Sequence, residues 1–242
     1  MLDLVEEIKF AELKEMCKEL KVVPPPDIMI NFKVTEKDRV VFDDVQRGHS
    51  WTRNFYNYIY SLSSNCPGGN SNNFGAGYMS SKNTAGTIFF SSSVCCGASS
   101  SFFNGRVFRA AAGSLTGIVL GTGDTAFNIN QFSLVTAIAN GTSSGQFSYQ
   151  ASTVGVPVYT AGTKTWATTL QRVVNNNSGG AITVKEVGLF YIGGQTAVGI
   201  FSNGSSEVWM LERSVLSPTV TVADGAQLTV SYSISTSFSA ID

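Results

Sequence analysis

Few residues of this chain could do chemistry, and each candidate sits in a pattern with testable demands. Gly141-Thr142-Ser143-Ser144-Gly145 has the spacing of the Gly-x-Ser-x-Gly elbow that presents a nucleophilic serine. That elbow needs a strand before the serine, a helix after it, and then an acid and a histidine further along. Here the strand-like stretch QFSYQ follows, and the one histidine, His49, lies far upstream; the spacing predicts a turn. Gly121-Thr122-Gly123 follows the strand-like GIVL, where a phosphate-cradling loop could begin, but the third glycine and the helix are missing. His49 lies in FDDVQRGHSW beside Asp43, Asp44 and Ser50. Proximity along the chain is not triad geometry, and a structural or interfacial histidine is expected.

Cys17, Cys66, Cys95 and Cys96 fit no zinc-ribbon or finger spacing. A bridge from Cys66 to Cys95 or Cys96 stays open, with free, partly buried thiols as the reading adopted. Residues 106–242 contain only six acids, too few to converge on a metal. The expectation is no catalytic residue, no cofactor and no metal. Lys185 and Glu186 interrupt the apolar stretch AITVKEVGLFYI. In a regular strand Ile182, Val184, Glu186, Gly188 and Phe190 share one face and Thr183, Lys185, Val187, Leu189 and Tyr191 the other. Both faces are apolar, as in a strand covered on two sides. Lys185 and Glu186 then point oppositely and meet neighbouring strands or subunits, with Arg172 and Glu212 as candidate partners.

These residues must be positioned by a scaffold that changes character along the chain. Residues 1–53 hold 20 of the 33 charged side chains, and the remaining 189 residues share 13. A Ser, Thr, Gly and Asn-rich surface with so little charge suits a β protein packed against neighbours. The net charge of -1 gives no electrostatic reason to expect nucleic acid or an anionic membrane as partner. No apolar run approaches the roughly 18 residues of a spanning helix. The start, MLDLVEEIKF, lacks the basic and apolar segments of a signal peptide, so the chain is expected to stay in the cell that makes it or to leave by assembly or lysis.

Three segments are expected. Residues 1–22 form an amphipathic helix with Val5, Ile8, Leu13, Met16 and Leu20 at helical spacing. Pro24-Pro25-Pro26 stops it. The helix could lie on the body or dock onto another chain. Residues 23–105 form an extended docking arm. Within it Ile28, Ile30, Phe32 and Val34 alternate on one face, and a small hairpin turns at Glu36–Arg39. Ser50 is a candidate N-cap for a helix carrying Trp51, Phe55, Ile59 and Leu62. A Ser/Gly/Asn-rich passage with Phe102 and Phe103 ends the arm. Residues 106–242 form an antiparallel β-sandwich of short strands separated by turns such as NNNSGG and ADGA, closing on Leu228, Val230, Tyr232 and Ile234. The fold class is mainly β.

The strands of residues 106–242 resemble a domain of structural proteins of tailed bacteriophages. The resemblance rests on Gly117–Gly123, Phe132–Tyr149, Trp166–Arg172, Asn176–Leu189, Leu211–Leu216 and Val222–Tyr232; RGHSWTRNFYNYIYSL also looks like a virion arm. It implies a non-enzymatic virion component assembled in the host cytoplasm: a neck, tail or fibre-anchoring protein, with capsid decoration as the alternative. Its partners would be other virion proteins and copies of itself. On that reading Ile28, Ile30, Phe32, Trp51, Phe55, Tyr56, Phe102 and Phe103 are arm side chains that gain cover only from a partner, and removal of residues 1–60 leaves a folded body. A further alternative is a host-glycan-binding module of a tail fibre using Trp166, Tyr149, Tyr159 or Trp209. A hydrolase lacks both a nucleophile with its base and convergent acids.

Overall fold

A computed structural model of the chain describes residues 4–20, 24–48, 50–57, 80–90, 109–194 and 206–238. The protein is mainly β, with an N-terminal helix and antiparallel sheets in a sandwich-like arrangement. Helix α1 (Leu4–Glu19) is built mostly from Leu, Glu, Lys, Ala and Met, all good helix formers, with Lys18 in its last turn. The strands are β1 (Asp27–Glu36), β2 (Arg39–Arg47), β3 (Ser80–Lys82), β4 (Ile88–Phe90), β5 (Gly117–Gly121), β6 (Ser148–Tyr149), β7 (Thr153–Val154), β8 (Val158–Thr160), β9 (Thr165–Asn175), β10 (Ile182–Gly194), β11 (Ser206–Val222) and β12 (Gln227–Ser237).

One sheet runs β2-β1-β12-β9, and β6, β7 and β8 follow one another along the other edge of β9. The second sheet runs β11-β10-β5, and β3 and β4 form a separate ribbon. The core lies between the two large sheets. Ile28, Ile30, Phe32 and Val34 of β1 and Leu228, Val230 and Tyr232 of β12 meet Val184, Val187 and Leu189 of β10 and Val220 and Val222 of β11 there. The alternation read in β1 and β12 is the one observed, because each has one face on this core. Lys37 and Asp38 turn the β1–β2 hairpin with φ of 46° and 63°. Two left-handed residues in succession give a turn whose twist matches the strands.

Strand β1 corrects the expected arm. It lies inside its sheet, paired with β2 on one side and with β12 from Asp27↔Ser235 to Thr35↔Gln227 on the other. Ile28, Ile30 and Phe32 are therefore covered by their own chain, each no more than 1% exposed. The next segment is covered likewise. Thr52 N–H donates to Leu211 O and Arg213 N–H to Ser50 O, so residues 50–52 line the edge of β11. Trp51 and Phe55 stack at 3.8 Å and are buried, and the Trp51 indole donates to Pro26 O. The helical residues 53–57 begin after Ser50, which is not at the cap position. Removing residues 1–60 would take β1 out of the middle of a sheet and uncover β11, so that truncation cannot leave the body intact.

An irregularity in the ladder between β10 and β11 explains where the reading of faces fails. In β10 the register shifts between Val184 and Glu186. Before this bulge Ile182 and Val184 face the central core; after it Val187 and Leu189 do, and Phe190 joins Val119, Leu134 and Met210 on the outer face. The two-sided cover of β10 is as expected; the assignment of residues to sides is not. Opposite this point β11 loops out between Val215 and Val220. Gln46 closes the loop, its amide donating to Pro218 O and accepting from Ser217 N. The segments EVWMLERSVL and TVTV are thus one 17-residue strand.

Phe32→Ala is expected to cost about 3–5 kcal/mol in urea unfolding, the range for an aromatic lost from a packed core. Val41→Ala, on the exposed side of β2, should change stability by less than about 0.5 kcal/mol.

Candidate functional site

Four charged residues of the body are buried, Arg172, Glu186, Glu212 and Arg213, and three of them organise its loops. Glu186 and Arg213 are fully buried on the outer face of the second sheet and pair at 2.6 Å. The Glu186 carboxylate also accepts from the backbone N–H groups of Gly123, Val135 and Thr136 at 3.1, 3.2 and 2.9 Å. Arg213 Nη1 donates to Thr125 O and to Gln131 Oε1. The loop from residue 122 to residue 137 is thereby drawn over the sheet. Gly121 and Gly123 are needed for this approach: a Cβ at either would stand 2.5 or 2.7 Å from Glu186 Oε1. The glycines admit the protein's own carboxylate, not a phosphate. Lys185 pairs with Asp124 at the surface, where its ammonium holds the Asp124 carboxyl below the usual range.

Arg172, named as a partner for this pair, has another role. It is 1% exposed and directs its guanidinium at five backbone carbonyls, those of Gln150, Thr116, Ile118, Ala111 and Ser114, over the ring of Tyr149. Its five N–H groups match five acceptors, so it needs no counter-ion to satisfy its hydrogen bonds. Burial lowers its pKa to about 10, which leaves it charged at neutral pH. Tyr149 donates to Ile138 O and accepts from Leu120 N–H, and burial pushes its phenol up. Glu212, the other named partner, lies on the inner face and bonds Tyr232 and Ser214.

The surface most suited to a partner is at helix α1. Arg47 clasps the helix through both carboxylate oxygens of Glu7 at 2.7 Å, stands 4.0 Å over the Phe10 ring, and also bonds Asp27. The hydrogen bond from Arg47 lowers the Glu7 pKa. Phe10 and Cys17 are turned from solvent, whereas Ile8, Met16 and Leu20 of the expected apolar stripe are exposed. Between helix and body lies an open cavity of about 480 Å³ whose lining includes Phe10, Leu13, Pro26, Trp51, Tyr56 and Ile129. Among the described residues Tyr56 is the one expected interface residue that is exposed, at 45%. Ile28, Ile30, Phe32, Trp51 and Phe55 belong to the core, and Phe102 and Phe103 lie outside the described residues. So do His49, Cys66, Cys95 and Cys96. Gly141–Gly145 is a turn held by Gln146, whose N–H donates to Ser143 O and whose side chain accepts from Ser143 N–H.

Among the described residues no three His, Cys, Asp or Glu side chains converge on a point that could hold a metal. No helix there is long and apolar enough to cross a membrane. The architecture defines a β scaffold whose buried charges tie loops to sheets. No protein-family model, curated protein or solved structure matches the chain.

Arg213→Met is expected to destabilise the protein by about 3–5 kcal/mol, since it leaves a buried carboxylate without its cation. Adding Glu186→Gln in the same chain should recover part of that loss. Urea unfolding of the two single variants and the double variant measures the coupling, and strictly additive losses would show that the pair does not act as a unit.

Proposed function

We propose that the chain is a non-enzymatic structural component of a tailed-phage virion that joins neighbouring virion proteins, on the neck, tail or fibre-anchoring side. The observation that carries this reading is helix α1. It is held to the body by an ionic clasp, leaves Ile8, Met16 and Leu20 in solvent, and has an apolar cavity at its side. A surface helix with large apolar side chains left in solvent is an element that can dock onto a partner. The charge-poor body supports the same reading, because its buried ionisable groups bond to backbone and to one another. The arm in this proposal contracts to residues 1–22, since β1 and β2 are part of the body.

A chain lacking residues 1–22 is expected to keep one cooperative unfolding transition and to be lost from assembled particles. Incorporation at the normal copy number would refute the docking role. Copy number in the intact particle also separates the axial location from capsid decoration, where hundreds of copies would be found instead of one or two rings.

One observation favours host-glycan binding as a second reading. Tyr159 and Trp166 face each other across β8 and β9, with ring centroids 5.1 Å apart, and are 46% and 47% exposed. Such a platform suits a sugar face. Tyr149 and Trp209 are buried and take no part. Binding on a glycan array that Trp166→Ala abolishes, with the unfolding midpoint unchanged, is the expected result; an array without signal removes this reading.

A further inference from the structure

Two buried glutamates of this protein have opposite surroundings. Glu186 accepts three backbone N–H groups and the Arg213 guanidinium, which together stabilise a carboxylate. Glu212, equally buried, bonds only two hydroxyls: Tyr232 OH at 2.9 Å and, by a short contact, Ser214 OH. Among the described residues no cation lies within ion-pair distance of it. The guanidinium of Arg213, next in sequence, is on the far face of the strand and committed to Glu186. Apart from Ser214, the register neighbours of the two residues across the strands are apolar. Leu189 stands opposite Glu212 on β10, and Ile30 and Leu170 flank Tyr232 on β1 and β9.

The position of this contact gives it consequence. Glu212 belongs to β11 and Tyr232 to β12, so the bond crosses from one sheet of the sandwich to the other. The backbone of Glu212 is also bridged to Trp51, at the point where residues 50–52 line the edge of β11. A proton on the Glu212 carboxyl leaves this seam neutral. Without the proton, an uncompensated charge faces apolar side chains on both sheets, which costs free energy until water enters or the sheets part.

We propose that Glu212 is a pH-sensitive latch between the two sheets: protonated, it holds β11 to β12 and seats residues 50–55; deprotonated, it loosens both. Burial raises the Glu212 pKa from 4.5 to about 7, against the smaller opposing effects of Ser214, Tyr232 and Arg213. The folded state therefore holds the proton more tightly than the unfolded chain. The stability this gives is complete below about pH 4.5, declines as pH rises, and is gone above about pH 7. The device does not rest on the docking role proposed for helix α1, although Trp51, which it seats, also lines the cavity beside that helix.

The test is urea unfolding of the full chain from pH 4 to pH 9, compared with Glu212→Gln, which keeps a polar group but cannot ionise. The wild type should lose stability relative to the variant between about pH 4.5 and 7, and the two curves should run parallel above that. Parallel curves throughout would overturn the proposal. Carbon-13 NMR of the unmodified protein labelled at glutamate carboxyls provides a reading that needs no variant. One buried carboxyl should titrate near neutrality, with faster amide exchange at residues 51–55 at pH 8 than at pH 6 after correction for intrinsic rates. A Glu212 resonance that titrates in the ordinary carboxylate range, or protection at residues 51–55 that is the same at both pH values, would overturn it.

Discussion

The body of this protein depends on satisfying charge in a place with almost no water. From residue 54 onward charged side chains are scarce, yet Arg172, Glu186, Glu212 and Arg213 are all buried. A buried ionised group is tolerated only when hydrogen bonds replace its hydration. Arg172 and Glu186 therefore draw chain toward themselves: Arg172 gathers carbonyls from residues 111–118 and from Gln150, and Glu186 gathers amides from residues 123–136. Stretches with little secondary structure acquire fixed positions in this way. The serine- and threonine-rich surface can stay bland because the ordering is done from inside.

This arrangement bears on function by exclusion of roles for particular residues. A carboxylate with four donors and an arginine with five acceptors are engaged as structural ties. The patterns that first suggest chemistry resolve into the same work. Gly121 and Gly123 clear space for Glu186, and Gly141–Gly145 reverses the chain before β6. Among the described residues the large apolar and aromatic side chains directed outward include Ile8, Met16 and Leu20 at α1, Tyr56, and the Tyr159–Trp166 pair.

Much of the fold was legible in sequence wherever the signal was local. The alternation of β1 and β12, the turn at Asp224-Gly225 and the two-sided cover of β10 follow from period and turn chemistry. Pairing over long separations has no such signal. Nothing in DIMINFKVT says that its partner is β12, so apolar residues that look destined for another molecule are core residues of this one. Bulges are equally silent, and the one at Val184–Glu186 sends Glu186 to the outer face beside Phe190. Arg172 illustrates a third limit. Charge pairing suggested a carboxylate partner, whereas five carbonyls on scattered loops supply its contacts. The candidate interface was legible only at Tyr56 and in the apolar stripe of α1, because exposure depends on which face the Arg47 clasp turns inward.

The pairing of β1 with β12 also governs how such a chain can be made. Ile30 and Tyr232 are neighbours in the sheet but about 200 residues apart in sequence, so β1 must wait, unpartnered on that edge, while everything between is synthesised. Closure over so long a loop is slow and comes late. A nascent or interrupted product lacks its central strand pair and exposes an apolar ribbon to chaperones and proteases. The sheet thus acts as a completeness check: only molecules translated through β12 can close it.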